Sequence, residues 1–252
     1  MYYYTIMLNL ILGIECAVEK LIEKGENAAM KNFPHSVFLF VSCSSDGYWI
    51  CGASIVNEGV LLTAAHCLFT CGTRNVIKAY VGNRKMGKGK SRTVQNFYLH
   101  KKYEDFSISN DIALMKVKKK IIFGKNVKRV ALMRKRPKTR LAQVAGWGII
   151  DEKTKKPALN LQSIKMHILK RSVCRERFYS RMPEGTNCAD SVNPKSAITE
   201  GDSGSALVVR GYIQIGIVSY KVPKISRSLV VYTDTGYFYD WITHNTKRLY
   251  CA

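Results

Sequence analysis

Acidic residues are the scarce component of this chain: eighteen Asp and Glu face forty Lys and Arg, for a formal charge of +22. That excess is far beyond what solubility needs, so an anionic partner is expected, and on charge alone a sulfated glycan, an anionic membrane or nucleic acid qualifies. Long apolar runs are missing as well. The longest, Thr5 to Ile14, has the length of a signal-peptide core, precedes small Cys16 and Ala17, and is too short to span a membrane. Residues 1–17 are therefore read as a signal peptide of a secreted, extracellular protein with no membrane span. Proline numbers six and no repeat or low-complexity linker interrupts the sequence, so the chain forms one large domain or two small packed ones. Paired C-x-x-C sets are absent, which disfavours a structural zinc site and makes disulfides the reading for the eight cysteines. Cys16 leaves with the signal peptide, so an odd number remains, and one thiol stays unpaired or bridges to another chain.

What is present is short and strand-like. Runs rich in β-branched and aromatic residues, "SVFLFVS", "VIKAYVG", "RLAQVAGW", "SALVVRGYIQIGIVSY" and "LVVYTD", are separated by Gly, Asn, Pro and Lys-rich turns, which predicts an all-β protein. One helix is expected, at the C-terminus from about Gly236 to Leu249. Three motifs carry chemistry: "LLTAAHC" with His66, "SNDIALMKV" with Asp111, and "GDSGS" with Ser203. Singly, each has an ordinary explanation as a structural histidine, a turn aspartate or a glycine-rich loop. Together they supply a hydroxyl nucleophile, an imidazole to carry its proton and a carboxylate to orient the imidazole, in one of the few chain orders known for that set.

At these motifs the sequence resembles the chymotrypsin-like (trypsin-like) serine proteases, from about Ile22 to Ile242, and "NFPHSVFLF", "CGASIV", "VAGWG" and "VYTDTGYFYDWI" resemble further family marks in the same order. The resemblance implies two packed antiparallel six-stranded β-barrels with a C-terminal helix. His66 and Asp111 would lie on the first barrel and Ser203 on the second. It further implies Ser203 as nucleophile, His66 as general base and then acid, Asp111 as its orienting carboxylate, the N–H groups of Gly201 and Ser203 as oxyanion hole, and Ser219 as support behind the carboxylate. No cofactor and no metal are implied, and the basic segment "VGNRKMGKGKSRTV" stands where some members bind calcium through acids.

The departures concern the pocket and the activation switch. Six residues before the serine, Ala197 replaces the aspartate of trypsin-type enzymes, and Thr199 replaces a cysteine whose bridge walls the pocket. Lys221 and Val230 stand where two glycines usually keep the pocket open, so a narrowed pocket for small or apolar side chains is expected rather than tryptic specificity. Ser205 and Ala206 follow Gly204 where the family usually has Gly and Pro, and Ser205 is expected to need a backbone angle that glycine tolerates better. The resemblance implies a propeptide at 18–21, a protease domain from Ile22 to residue 252, and an activating pair between the Ile22 ammonium and Asp202. It also implies bridges Cys51–Cys67 and Cys174–Cys188, with Cys43 and Cys71 forming an extra one at the leaving-group side of the cleft. Cys251 is then the odd thiol, available for an intermolecular bridge.

The charge is uneven. Between positions 59 and 150 only Glu104, Asp105 and Asp111 oppose 21 Lys and Arg, which favours a heparin-like or other polyanion, while the lack of aromatic-interleaved RNA or DNA motifs disfavours nucleic acid. The expected function is a secreted serine endopeptidase acting on protein or peptide substrates. The alternative is a non-catalytic homologue that uses the same fold to bind a polyanion or a protein.

Overall fold

Every second side chain of "NVIKAYV" turns inward, Ile77, Ala79 and Val81 against outward Val76 and Lys78, and "QSIKMHI" alternates the same way, with Ile164, Met166 and Ile168 inward and Lys165 and His167 outward. That period of two suits a sheet with one wet face and one buried face. The computed structural model describes residues 25–43, 47–72, 75–151, 153–179 and 182–251. The expected signal peptide and propeptide, and Ile22 with them, lie outside the described residues.

Twelve strands close into two barrels. The first comprises β1 (Ser36–Cys43), β2 (Tyr48–Ile55), β3 (Val60–Thr63), β4 (Asn75–Val81), β5 (Lys90–Leu99) and β6 (Ala113–Val117). The second comprises β7 (Leu141–Gly146), β8 (Gln162–Ile168), β9 (Thr186–Ser191), β10 (Ala206–Val209), β11 (Ile213–Lys221) and β12 (Leu229–Asp234). The first closes in the order β1-β2-β3-β6-β5-β4 and the second in the order β7-β8-β9-β12-β11-β10, so the two share one topology. All pairings within the barrels are antiparallel. Leu39, Leu61, Leu62, Leu114 and Met115 fill the first barrel, and Met166, Leu207, Ile215 and Tyr232 fill the second. Phe38, Trp147, Leu161 and Val208 form an apolar seam drawn from both, where Phe38 and Trp147 meet edge to face at 5.7 Å.

The C-terminal helix α2 spans Tyr239–Cys251 rather than starting at Gly236. Asp234 delays it: its Oδ1 accepts from the N–H groups of Gly236 and Tyr237 at 2.8 and 3.3 Å, holding residues 234–237 as a turn. Phe238 and Ile242 then pack into the core of the first barrel, so the helix that follows the second barrel in sequence returns to the first. A second helix, α1 (Arg171–Arg177), was not anticipated; seven mostly polar residues are too few to show helical periodicity. Buried Cys174 and Phe178, clustered with Met182 and Val231, fix it to the second barrel.

Three disulfides are present, Cys43–Cys71, Cys51–Cys67 and Cys174–Cys188, with Cα separations of 4.9, 6.4 and 5.7 Å. Cys251 is free and exposed at the end of α2. Ala142 and Val209 both lie in the apolar core of the second barrel.

Candidate active site

Register explains how two distant motifs meet. Strands β3 and β6 pair with Thr63 opposite Ala113, so the chain leaving β3 and the chain entering β6 run side by side, which brings His66 beside Asp111. His66 Nδ1 lies 2.8 Å from Asp111 Oδ2, and the His66 backbone N–H donates to Asp111 Oδ1 at 2.9 Å. Asp111 is fully buried. Its Oδ2 also accepts from Ser219 Oγ at 2.5 Å. Ser219 sits where the β11–β12 ladder shifts register between Val218 and Tyr220, an irregularity of the kind that re-aims a side chain. A buried carboxylate is tolerated when donors surround it, and Asp111 has three.

Burial opposes a charge on His66, but the hydrogen bond and charge of Asp111, with help from Asp105, outweigh it and raise the imidazole pKa above its ordinary value. The ring remains partly open, with a side-chain exposure of 27%. Cys67 Sγ lies 3.9 Å from His66 Nε2 and 3.7 Å from the Ser203 carbonyl oxygen, so imidazole and serine flank one sulfur. Cys51, His66 and Cys67 are close enough to suggest a metal cluster, but the Cys51–Cys67 bridge uses both sulfurs and leaves a single imidazole, which does not make a site.

The serine loop is held from the first barrel. Gly52 N–H donates to the Ser203 carbonyl at 2.7 Å. Gly204 has φ +82°, and a Cβ there would overlap Thr63 Oγ1 and the Gly52 carbonyl, so both its angle and its fit require glycine. No hydrogen bond joins the Ser203 hydroxyl to His66 among the described residues; such bonds are often long without substrate and tighten when it binds. Within the loop, the N–H groups of Asp202, Gly204 and Ser205 are spent on Thr199, Val218 and Asp202 carbonyls. Those of Gly201 and Ser203 make no backbone hydrogen bond among the described residues, so the loop keeps two unspent donors, the serine's own amide and that of Gly201.

Ser205 departs from expectation. It has no positive φ, so glycine's freedom is not needed there; the accommodation is on the partner strand, where any Cβ on Gly52 would collide with Ser205 Oγ.

Asp202 is buried, and its carboxylate accepts from Gly148 N–H at 2.8 Å and from the N–H and hydroxyl of Thr199 at 3.0 and 3.2 Å. Side chains on Gly146 or Gly148 would collide with it, which is why "GWG" suits the position. Burial raises the Asp202 pKa despite the bonds from Thr199 and Gly148 and the charge of Lys221. Thr199 thus has a role that the missing cysteine concealed. Thr199→Val is expected to cost about 1–2 kcal/mol through one hydrogen bond lost from a buried carboxylate, read as a lower urea midpoint with an unchanged slope.

At the expected specificity pocket, Ala197 and Val230 are 5% and 1% exposed, and Val230 packs with Ile198, Val218 and Tyr232 in the core of the second barrel. Lys221, opposite Val230 in the ladder, is half-buried. Sequence reasoning missed a neighbouring feature. A cavity of about 530 Å³ lies against Gly201, lined mainly by apolar groups including Phe38, Phe40, Tyr48, Trp49 and Ile50. Phe40 and Tyr48 stack at 5.3 Å, and the Lys155–Glu200 pair, 2.9 Å apart, sits on its rim.

A family model described as Trypsin matches residues 22–242. Hypodermin-B of Hypoderma lineatum is 33% identical over 228 residues, covering 88% of this chain and 86% of that protein. Among solved structures, HL collagenase superposes with a TM-score of 0.78 at 23% identity, covering 89% of this chain and 98% of that one. The scabies mite inactivated protease paralogue S-D1 gives 0.78 at 22% identity, covering 88% and 96%.

Proposed function

The chain belongs to the trypsin family of serine proteases, and on that premise we propose that it is a secreted serine endopeptidase in which His66, Asp111 and Ser203 form the catalytic triad. The observation that carries this reading is the hydrogen-bonded series Ser219–Asp111–His66 beside two unspent amides. Ser203 Oγ attacks the substrate carbonyl while His66 Nε2 takes its proton. The oxyanion so formed accepts from the N–H groups of Gly201 and Ser203. His66 returns the proton to the departing amine, and water then repeats the sequence on the acyl-enzyme, with Asp111 stabilising the imidazolium each time.

Asp202 is the receptor for the ammonium freed at Ile22. The support is electrostatic: it is buried, 2% exposed, and no ion pair reaches it among the described residues, and a buried carboxylate without a cation is costly. The polyanion partner and the Cys251 intermolecular bridge belong to the same reading, the first supported by the net charge and the second by the thiol's exposure.

A fluorophosphonate probe tests the peptidase. The processed protein is expected to label and Ser203→Ala not to; absence of Ser203-dependent labelling overturns the assignment. The alternative, a non-catalytic homologue that binds a polyanion or a protein, requires that absence.

Specificity follows from the two sides of Ser203. Val230 narrows the conventional pocket to small apolar side chains, and the aromatic cavity receives an apolar side chain on the leaving-group side. Peptides with Phe or Leu there are expected to exceed their alanine counterparts at least about 10-fold in kcat/KM, since burying such a group contributes about 1.5–3 kcal/mol; a panel of fluorogenic peptides varied on that side measures it.

A further inference from the structure

The segment joining the barrels carries a second concave site. Arg136, Lys138 and Arg140, from this connection, and Lys170, just beyond β8, line one cavity of about 690 Å³ with Thr139 and Leu169. The Ile168 N–H donates to the Arg140 carbonyl at 2.8 Å and clips the connection to the end of β8. All four cations are exposed. None belongs to any of the ion pairs among the described residues, and no acid lines the cavity. Neighbouring Arg134 differs, because Asp240 pairs with it through both guanidinium nitrogens.

Four like charges around one hollow repel one another, and an anion seated among them turns that repulsion into attraction. The donors suit sulfate or phosphate esters: two guanidinium groups offer planar forks and two ammonium groups act as point charges. Among the described residues no aromatic ring lines the cavity, and these give no platform on which a nucleic-acid base could stack. We propose that this cavity is the docking site for a sulfated polysaccharide, seated on Arg136, Lys138, Arg140 and Lys170. The proposal rests on the polyanion reading of the charge and not on the peptidase reading. The cavity shares no lining residue with the groove beside Gly201, so polysaccharide and peptide can bind together.

The test uses the full-length Ser203→Ala protein, so that hydrolysis plays no part, with heparin as probe. One variant carries R136Q, K138Q, R140Q and K170Q; a control removes equal charge elsewhere through K118Q, K119Q, K125Q and K128Q. The cavity variant is expected to bind heparin on the order of 10²-fold more weakly at 0.15 M salt, with the slope of log K against log salt reduced by about 3, since each neutralised cation contributes roughly 0.7–0.9. The control should lose less than about 5-fold. Equal losses in the two variants overturn the site, leaving only diffuse charge. Tighter binding of single-stranded DNA than of heparin makes the partner a nucleic acid and overturns the ligand class. Failure of the unmutated surface to retain heparin at about 0.2 M salt overturns both.

Discussion

Replacing Ser203 by alanine is expected to lower peptide hydrolysis by about 10⁶-fold in kcat, His66→Ala to cost about the same, and the double variant to cost no more, because the two act as one unit. Asp111→Asn is expected to cost about 10⁴-fold, since it leaves a proton carrier in place but removes the charge that fixes its tautomer. The Asp111 variant has a second signature. In the native site the Asp111 bond and charge override burial and hold the His66 pKa up, so activity, which needs neutral imidazole, falls as acid is approached through that raised value. Without the Asp111 charge burial dominates, and the residual activity of Asp111→Asn should persist to lower pH. A purely structural role for Asp111 would lower the rate without moving the acid limb, so stopped-time hydrolysis assays from pH 4 to 9 separate the two.

Acid stability is the second large effect, and it belongs to a residue outside the site. His35 is buried, 1% exposed, and burial lowers its pKa to about 4 from the ordinary 6.5. The unfolded chain takes up a proton near pH 6.5 that the folded chain refuses until about pH 4. Stability is therefore full above 6.5 and is lost progressively as pH falls to 4, by roughly 3 kcal/mol in all. Asp202 works in the opposite direction. In the unprocessed chain, where no ammonium pairs with it, burial raises its pKa, so its protonation on acidification favours the folded state and masks part of the loss. In an Asp202→Asn background the His35 effect is no longer masked by Asp202, and adding His35→Phe should reduce the slope, leaving the contributions of His66, whose raised pKa acts in the sense of Asp202, and of His100, whose lowered pKa acts in the sense of His35. Urea-unfolding free energies between pH 7 and 4, disulfides intact, measure it, and an unchanged slope with His35→Phe would place the effect elsewhere.

How far the sequence anticipates this molecule depends on whether a feature is local. The meeting of His66 and Asp111 is readable because each stands in a short window with a recognisable pattern, and the barrels because strand alternation repeats every two residues. Thr199 is different. Nothing within its own window shows that its hydroxyl faces Asp202 in the glycine cradle of Gly146 and Gly148, so the substitution reads as a lost bridge when the structure makes it a donor. The aromatic cavity is assembled from β1, β2, β4 and the loop after it, together with the segments after β7 and before β10, and no single segment announces it. The charge excess is a matter of counting, but the convergence of Arg136 and Lys170 depends on the Arg140–Ile168 contact between segments almost thirty residues apart.

The contact between Gly52 and Ser205 closes position 52 to change from outside its own strand. A Cβ there would meet Ser205 Oγ and also the Ser205 Cα and N at 2.9 Å, so trimming position 205 to glycine does not make room for it. The backbone of the serine loop, more than any one side chain, therefore holds a strand of the other barrel to glycine, and no single exchange at position 205 opens a mutational path to a larger residue at 52.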